Sequence, residues 1–175
     1  MKKICILLAA PVIIGFASCG GSKTEEEVIL PGMMKINLVV AGDTLTMIVP
    51  DSAKRKMEII EQPWGATEIK VGNEFQVSIE QGEGDMTLRK SDIAGDEVFK
   101  LQRFIYDEPS LLFWESKIGD MPNSNFHFYT VAKPGNVSYV IKDIESGDAY
   151  NEKSAQAMVD AVKTLKAKPS AVAAP

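Results

Sequence analysis

The fold is indicated first by a stretch of alternating side chains, MKINLVVAGDTLTMIV, which occupies residues 34–49. Apolar residues fall on every second position on both sides of Gly42-Asp43, a pair that is typical of a two-residue hairpin turn. A period of two places the apolar side chains on one face of a β-strand and the polar ones on the other. The stretch therefore predicts two antiparallel strands, each with one buried face.

The same alternation continues along most of the chain that follows. Phe75, Val77 and Ile79 alternate with polar neighbours after a turn at Gly72-Asn73, and further strands flank a type II turn predicted at Pro134-Gly135. Proline fixes the first central position of such a turn, and glycine supplies the positive φ of the second. Most of the domain is therefore expected to be antiparallel sheet.

One segment near the end of the chain has helical spacing instead. From Glu152 to Lys168 the apolar residues recur at three and four positions, and Asn151 stands where an N-cap is expected. The segment 85–93 is left open between a short helix capped by Asp85 and a strand. We therefore predict an α+β fold, in which one bent antiparallel sheet of about six to nine strands carries one C-terminal amphipathic helix packed on it.

Composition and charge exclude several function classes. The chain has 175 residues, 45% hydrophobic and 25% charged, which is the profile of one globular domain. Its formal net charge of −5 argues against a nucleic-acid partner, because phosphate binding needs basic patches. Two cysteines and one histidine leave too few ligands for most zinc or iron–sulfur sites, and the sequence contains no nucleotide- or cofactor-binding motif. We therefore predict no cofactor, no metal site and no catalytic residues.

The N-terminus has the features of a bacterial export signal. Lys2 and Lys3 precede an uncharged, mostly apolar run from Ile4 to Ser18, which is too short to span a membrane and is typical of a secretory signal peptide. The sequence Phe16-Ala17-Ser18-Cys19 resembles the lipobox of bacterial lipoprotein precursors. The resemblance implies cleavage before Cys19 and a diacylglycerol on its thiol, which would anchor the chain to a membrane.

These observations divide the chain into four parts. They are a signal peptide at 1–18, a lipidated flexible tether at 19–32, a single globular domain at 33–166 and a disordered tail at 167–175. In enterobacterial lipoproteins an Asp directly after the cysteine causes retention in the inner membrane. This chain has Gly20 at that position, so the resemblance implies an outer-membrane location. Residues 25–27 loosely resemble an acidic surface-export tract, and the choice between the periplasm and the cell surface is left open.

Three side chains are the candidates for contact with a ligand or partner. Trp64 lies in a Pro/Gly turn where burial is less assured, and aromatic rings bind sugars and anchor protein interfaces. His127 and Tyr129 alternate with Phe126 and Phe128 along one predicted strand. If the phenylalanines are buried, His127 and Tyr129 lie on the opposite face of that strand. Thr44 and Ser52 lie in short sequences that resemble Bacteroidetes O-glycosylation sites, and their modification is left open.

Together these features predict a membrane-anchored envelope lipoprotein that acts as a non-catalytic binding or scaffolding module. Its expected partners are the membrane, through the lipid on Cys19, and a protein or a glycan. The alternative is a carboxylate-based hydrolase acting on an envelope glycan, since acidic residues cluster at Glu80, Glu83 and Asp85 and again around Asp143. Two carboxyl groups with opposed pKa shifts in one pocket would favour that alternative.

Overall fold

The computed structural model describes residues 28–53, 55–144 and 149–168. Cys19, the predicted signal peptide and residues 169–175 of the predicted tail lie outside these ranges. The described chain forms ten strands and two helices. In chain order these are β1 (Met33–Val40), β2 (Asp43–Pro50), β3 (Met57–Glu61), β4 (Thr67–Val71), β5 (Phe75–Gln81), α1 (Met86–Gly95), β6 (Phe99–Glu108), β7 (Leu111–Ile118), β8 (Asn125–Ala132), β9 (Tyr139–Asp143), α2 (Glu152–Val162) and β10 (Lys166–Ala167).

The strands form two antiparallel sheets, so the α+β class is confirmed and the prediction of a single sheet is wrong. One sheet has three strands in the order β1-β2-β10, and the other has seven in the order β3-β4-β5-β9-β8-β7-β6. Every pairing in both sheets is antiparallel. The alternation that predicts a strand tells which face is buried, but it does not tell which strand is the neighbour. The division into two sheets therefore did not follow from the sequence pattern.

The first hairpin closes one residue earlier than the sequence suggested. Val40 pairs with Asp43, so the two-residue loop is Ala41-Gly42, with φ values of 50° and 90°. Positive φ at both central residues is the geometry of a type I′ turn, whose twist matches that of the two strands. Asp43 is left at the start of β2, where its carboxylate accepts a 2.7 Å hydrogen bond from the Tyr139 hydroxyl.

A large hydrophobic core contains residues from both sheets and from α2. Leu38 and Met47 of the smaller sheet, Val77 and Phe113 of the larger sheet, and Met158 of α2 are each no more than 2% exposed. The period of two in the strands and the three-four spacing of the helix therefore supply side chains to one common core.

Helix α1 is the segment that the sequence left open. Asp85 is its N-cap, and the carboxylate accepts a 2.8 Å hydrogen bond from the backbone N–H of Leu88. The helix contacts β6 and β7 and buries Ile93. By strand alternation, the side chains beneath it lie on the face of the seven-stranded sheet opposite the main core, which we call the outer face. The smaller cluster there consists of Ile93, Leu112, Trp114, Tyr129 and Val140.

Helix α2 is shorter than predicted and is not the last element of the chain. It begins after the predicted N-cap Asn151 and ends at Val162 rather than at Lys168. Just beyond it, the Thr164 hydroxyl accepts a 2.8 Å hydrogen bond from the backbone N–H of Ile48, and the chain then adds β10 to the edge of β2. The predicted boundary between domain and tail falls within β10. Neither helix of the described chain is long and apolar enough to cross a membrane.

Candidate functional site

A polar groove crosses the part of the outer face formed by β4, β5 and β9. Three of its side chains form a row, because Glu68 of β4 lies opposite Ser78 of β5, and Ser78 lies opposite Lys142 of β9. Trp64, in the loop between β3 and β4, lines the same groove, whose volume is about 220 Å³. We call it the Trp64 groove. It exists because alternate residues of these strands face the core and leave the polar ones outside.

Trp64 projects into solvent from a turn whose backbone is held by hydrogen bonds. The Gly65 N–H donates to the Gln62 carbonyl at 2.9 Å, and the Gln62 N–H donates to the Ala66 carbonyl at 2.8 Å. Gly65 has a φ of 96°, which glycine adopts without the strain that a side chain would bring. Trp64 itself is 68% exposed. The turn therefore presents an indole with an accessible apolar face and one N–H donor.

The charges in the Trp64 groove are mixed. Glu80 and Asp143 line the groove together with Glu68, Ser78 and Lys142, so three carboxylates, one hydroxyl and one ammonium group are present. The Glu68 carboxylate lies 3.1 Å from Lys70 Nζ and is mostly buried. Donors and acceptors at this density suit a ligand with several hydroxyl groups, because each hydroxyl can both donate and accept.

A carboxylate–imidazole pair, in which the carboxylate is buried and the imidazole is mostly buried, borders the groove. Asp143 lines it and is 3% exposed, with one carboxylate oxygen accepting a 2.9 Å hydrogen bond from the Phe128 N–H. The other oxygen lies 2.8 Å from His127 Nδ1. The imidazole packs edge-on to Phe99 at 5.8 Å and lies 5.5 Å from the Trp114 ring. Its Nε2 is buried and has no hydrogen-bond partner within the described ranges. Asp143 therefore fixes the orientation of the His127 ring.

His127 also lines a smaller cleft of about 120 Å³ beside α1. Trp114, Arg89 and acidic residues from α1 and its C-cap line this cleft as well. The Arg89 guanidinium lies 5.4 Å from the centre of the Trp114 ring and 5.7 Å from that of Tyr129, which are distances typical of cation–π contacts. Helix α1 thus covers side chains that the strand pattern alone would leave in solvent.

The three predicted contact residues are placed differently. Trp64 lines the groove, and His127 reaches it only through Asp143. Tyr129 belongs to the smaller cluster beneath α1 and is not among the described residues that line the groove. Burial raises the pKa of the Tyr129 phenol above its ordinary value. Only Trp64 therefore offers an accessible surface at this site.

Sequence reasoning missed the residues that strand order brings together. Glu68 and Ser78 lie on consecutive strands, whereas Lys142 lies on β9, which is far from both in the chain but adjacent to β5 in the sheet. Each stands on the polar parity of its own strand, which is the one signal in the sequence that could have singled it out. Their meeting in one row depends on the β5–β9 pairing, which alternation does not predict.

The two residues in glycosylation-like sequences are both accessible. Thr44, near the start of β2, is exposed, and its carbonyl accepts a 2.9 Å hydrogen bond from the Lys168 N–H. Ser52 is exposed in the loop after β2, where its hydroxyl lies 3.9 Å from the sulfur of Met34. Accessibility is necessary for modification, and glycosylation of either hydroxyl stays a prediction.

Comparison with other proteins does not assign this site. No protein family, no curated protein and no solved structure matches the chain. The part of the chain that the structure describes contains no group of three or more His, Cys, Asp or Glu side chains placed to hold a metal ion. The geometry and chemistry of the groove are therefore the basis for a functional proposal.

Proposed function

We propose that this protein is a membrane-anchored envelope lipoprotein whose domain binds a glycan in the Trp64 groove without cleaving it. The observation that carries the proposal is the 68% exposure of Trp64 beside a groove lined by Glu68, Ser78 and Lys142. An indole face left in water is unfavourable, and a sugar ring that stacks on it removes both apolar surfaces from water. The polar row supplies hydrogen-bond partners for the hydroxyls of the same sugar.

The carboxylates of the groove support binding rather than hydrolysis. Glycoside hydrolysis needs one protonated carboxylic acid and one free carboxylate on either side of the scissile bond. Glu68 is engaged by Lys70 at 3.1 Å, and Asp143 is held by His127 and a backbone N–H. The alternative, a carboxylate-based hydrolase of an envelope glycan, would have to use Glu80 with one of these two engaged groups.

The N-terminal sequence supports the anchoring part of the proposal. A lipid-modified Cys19 would hold the domain at the membrane through a tether that runs to residue 32. The resemblance to other lipoproteins favours the outer membrane. In the same proposal α2 is the amphipathic helix that packs on the sheets. The packing of α2 is supported by the burial of Ala155, Met158 and Val159 in a core cluster that also contains strand residues.

Binding of isolated envelope polysaccharide to the purified full chain tests the proposal. Trp64→Ala should weaken binding about tenfold or more, because truncating an aromatic anchor costs more than about 1–2 kcal/mol. Leu88→Ala is the matched control, since Leu88 is 58% exposed on α1 and is not among the described residues of the groove. Equal affinity of the two variants would remove Trp64 from the site. Release of reducing sugar ends that Glu80→Gln abolishes would establish the hydrolase instead.

A further inference from the structure

A separate cavity of about 290 Å³ lies between α2 and the strands β7 and β8. Its walls include Val159 and Val162 of α2, Leu165 just beyond the helix, and Leu111 at the start of β7, each no more than 8% exposed. It shares no lining residue with the Trp64 groove among the residues described. Its volume is close to the lower end of the range for ligand pockets, which begins at about 300 Å³.

The charged residues described in the wall of this cavity are both lysines. Lys133 follows β8, Lys163 follows α2, and no acidic residue of the described chain joins them. Lys163 Nζ lies 3.7 Å from the Asp160 carboxylate, but both side chains are more than half exposed, so this pair is weak. The cavity therefore has a positive charge that its own wall does not balance.

Polar groups in the cavity wall are already hydrogen-bonded to one another. The Thr130 hydroxyl donates to the Ser110 carbonyl at 2.6 Å, and the Val131 N–H donates to the same carbonyl at 3.0 Å. An apolar chain can lie against this wall without separating a buried donor from its acceptor.

We propose that this cavity binds a free single-chain anionic amphiphile, such as a medium-chain fatty acid. The alkyl chain would lie against Val159, Val162 and Leu165, and the carboxylate would lie beside Lys133 and Lys163. The apolar wall favours the chain because it removes the methylene groups from water. The two ammonium groups favour a carboxylate over an uncharged or cationic head group. The inference goes beyond glycan binding and does not depend on it.

Calorimetric titration of the full chain with decanoate tests the inference. The chain carries Cys19→Ala, which removes the predicted acylation site and with it a competing acyl chain. Decanoate should bind at least about tenfold more tightly than decanol or decyltrimethylammonium, which keep the alkyl chain and change the head-group charge. Equal affinity for the three compounds would overturn the inference, and so would the absence of decanoate binding below its micelle-forming concentration.

Charge reversal locates the head group. Lys133→Glu combined with Lys163→Glu should weaken decanoate binding about tenfold or more, whereas Lys100→Glu combined with Lys117→Glu should leave it unchanged. The control pair changes the net charge equally, at two residues that lie opposite each other on β6 and β7. Lys133 and Lys163 are both exposed, so the fold should survive, which an unchanged melting temperature verifies. Equal losses in the two double variants would overturn the assignment.

Discussion

Val159→Ala measures whether α2 packs on the sheets. Val159 is 1% exposed and belongs to the core cluster that also contains strand residues of both sheets. Removing two methyl groups forfeits about 1.5 kcal/mol of transfer free energy, and the cavity left behind costs about 1 kcal/mol more. The free energy of unfolding should therefore fall by about 2–3 kcal/mol.

Two companion variants separate docking of the helix from a general effect of mutation. Val159→Asp should cost at least about 4 kcal/mol, because it also buries an unpaired charge. Lys163→Asp should cost less than about 1 kcal/mol, since the Lys163 side chain is 57% exposed. Thermal unfolding followed by circular dichroism should place Val159→Ala about 8 °C below the parent, at about 3 °C per kcal/mol. Equal melting temperatures for Val159→Asp and Lys163→Asp would refute the packing of α2 on the sheets.

Three further predictions address anchoring, pH and backbone geometry. Cys19→Ala should abolish incorporation of labelled palmitate and partition into membranes, and unchanged labelling would contradict the lipoprotein assignment. Burial, with a hydrogen bond to a carboxylate, raises the pKa of Tyr139 from 10 to about 12. The contribution of the protonated phenol to the free energy of unfolding should therefore be intact below pH 10 and should decline by about 2 kcal/mol by pH 12. The free energy of unfolding of Tyr139→Phe, measured by urea titration between pH 10 and pH 12, should lack this part of the decline. A pH profile identical to that of the parent would refute the prediction. Gly84 has a φ of 61°, and an added Cβ would lie 2.6 Å from a Val131 methyl, so Gly84→Ala should lower stability by about 1–3 kcal/mol. Gly95→Ala is the control, because a Cβ added at Gly95 meets no atom within 4 Å, and it should not lower the melting temperature. Equal losses of stability in the two variants would contradict the steric argument.

Local signals in the sequence anticipated the elements better than their arrangement. Alternation located most strands of both sheets but not β3 or β10, and the short polar residues Asp85 and Asn151 cap the two helices. The helical spacing ran on to Leu165, which is indeed buried, although the helix ends at Val162. Spacing alone could not show where the helix ends, because just beyond its last residue the Thr164 hydroxyl accepts a hydrogen bond from β2, which is distant in the sequence.

The candidate site was anticipated only where exposure depends on a local turn. Trp64 was a candidate because burial is less assured in a Pro/Gly turn, and in the structure it is 68% exposed beside Gly65, which has a positive φ. His127 stands on the polar parity of its strand, yet α1 covers that part of the outer face, and Asp143 meets the imidazole there. The pattern around α1 was ambiguous because the helix buries only Ile93 and so carries a weak apolar stripe. The partial burial of His127 could therefore not be derived from sequence alone.

The most direct test of glycan binding uses the two tryptophans of the chain, one as reporter and one as internal control. Trp64 is 68% exposed in the groove, whereas Trp114 is 4% exposed in the cluster beneath α1. In nitrogen–proton correlation spectra of the full chain, titration with envelope polysaccharide should shift the indole N–H resonance of Trp64 and leave that of Trp114 in place. Saturable binding of the polysaccharide with no change at the Trp64 indole would contradict the proposed site.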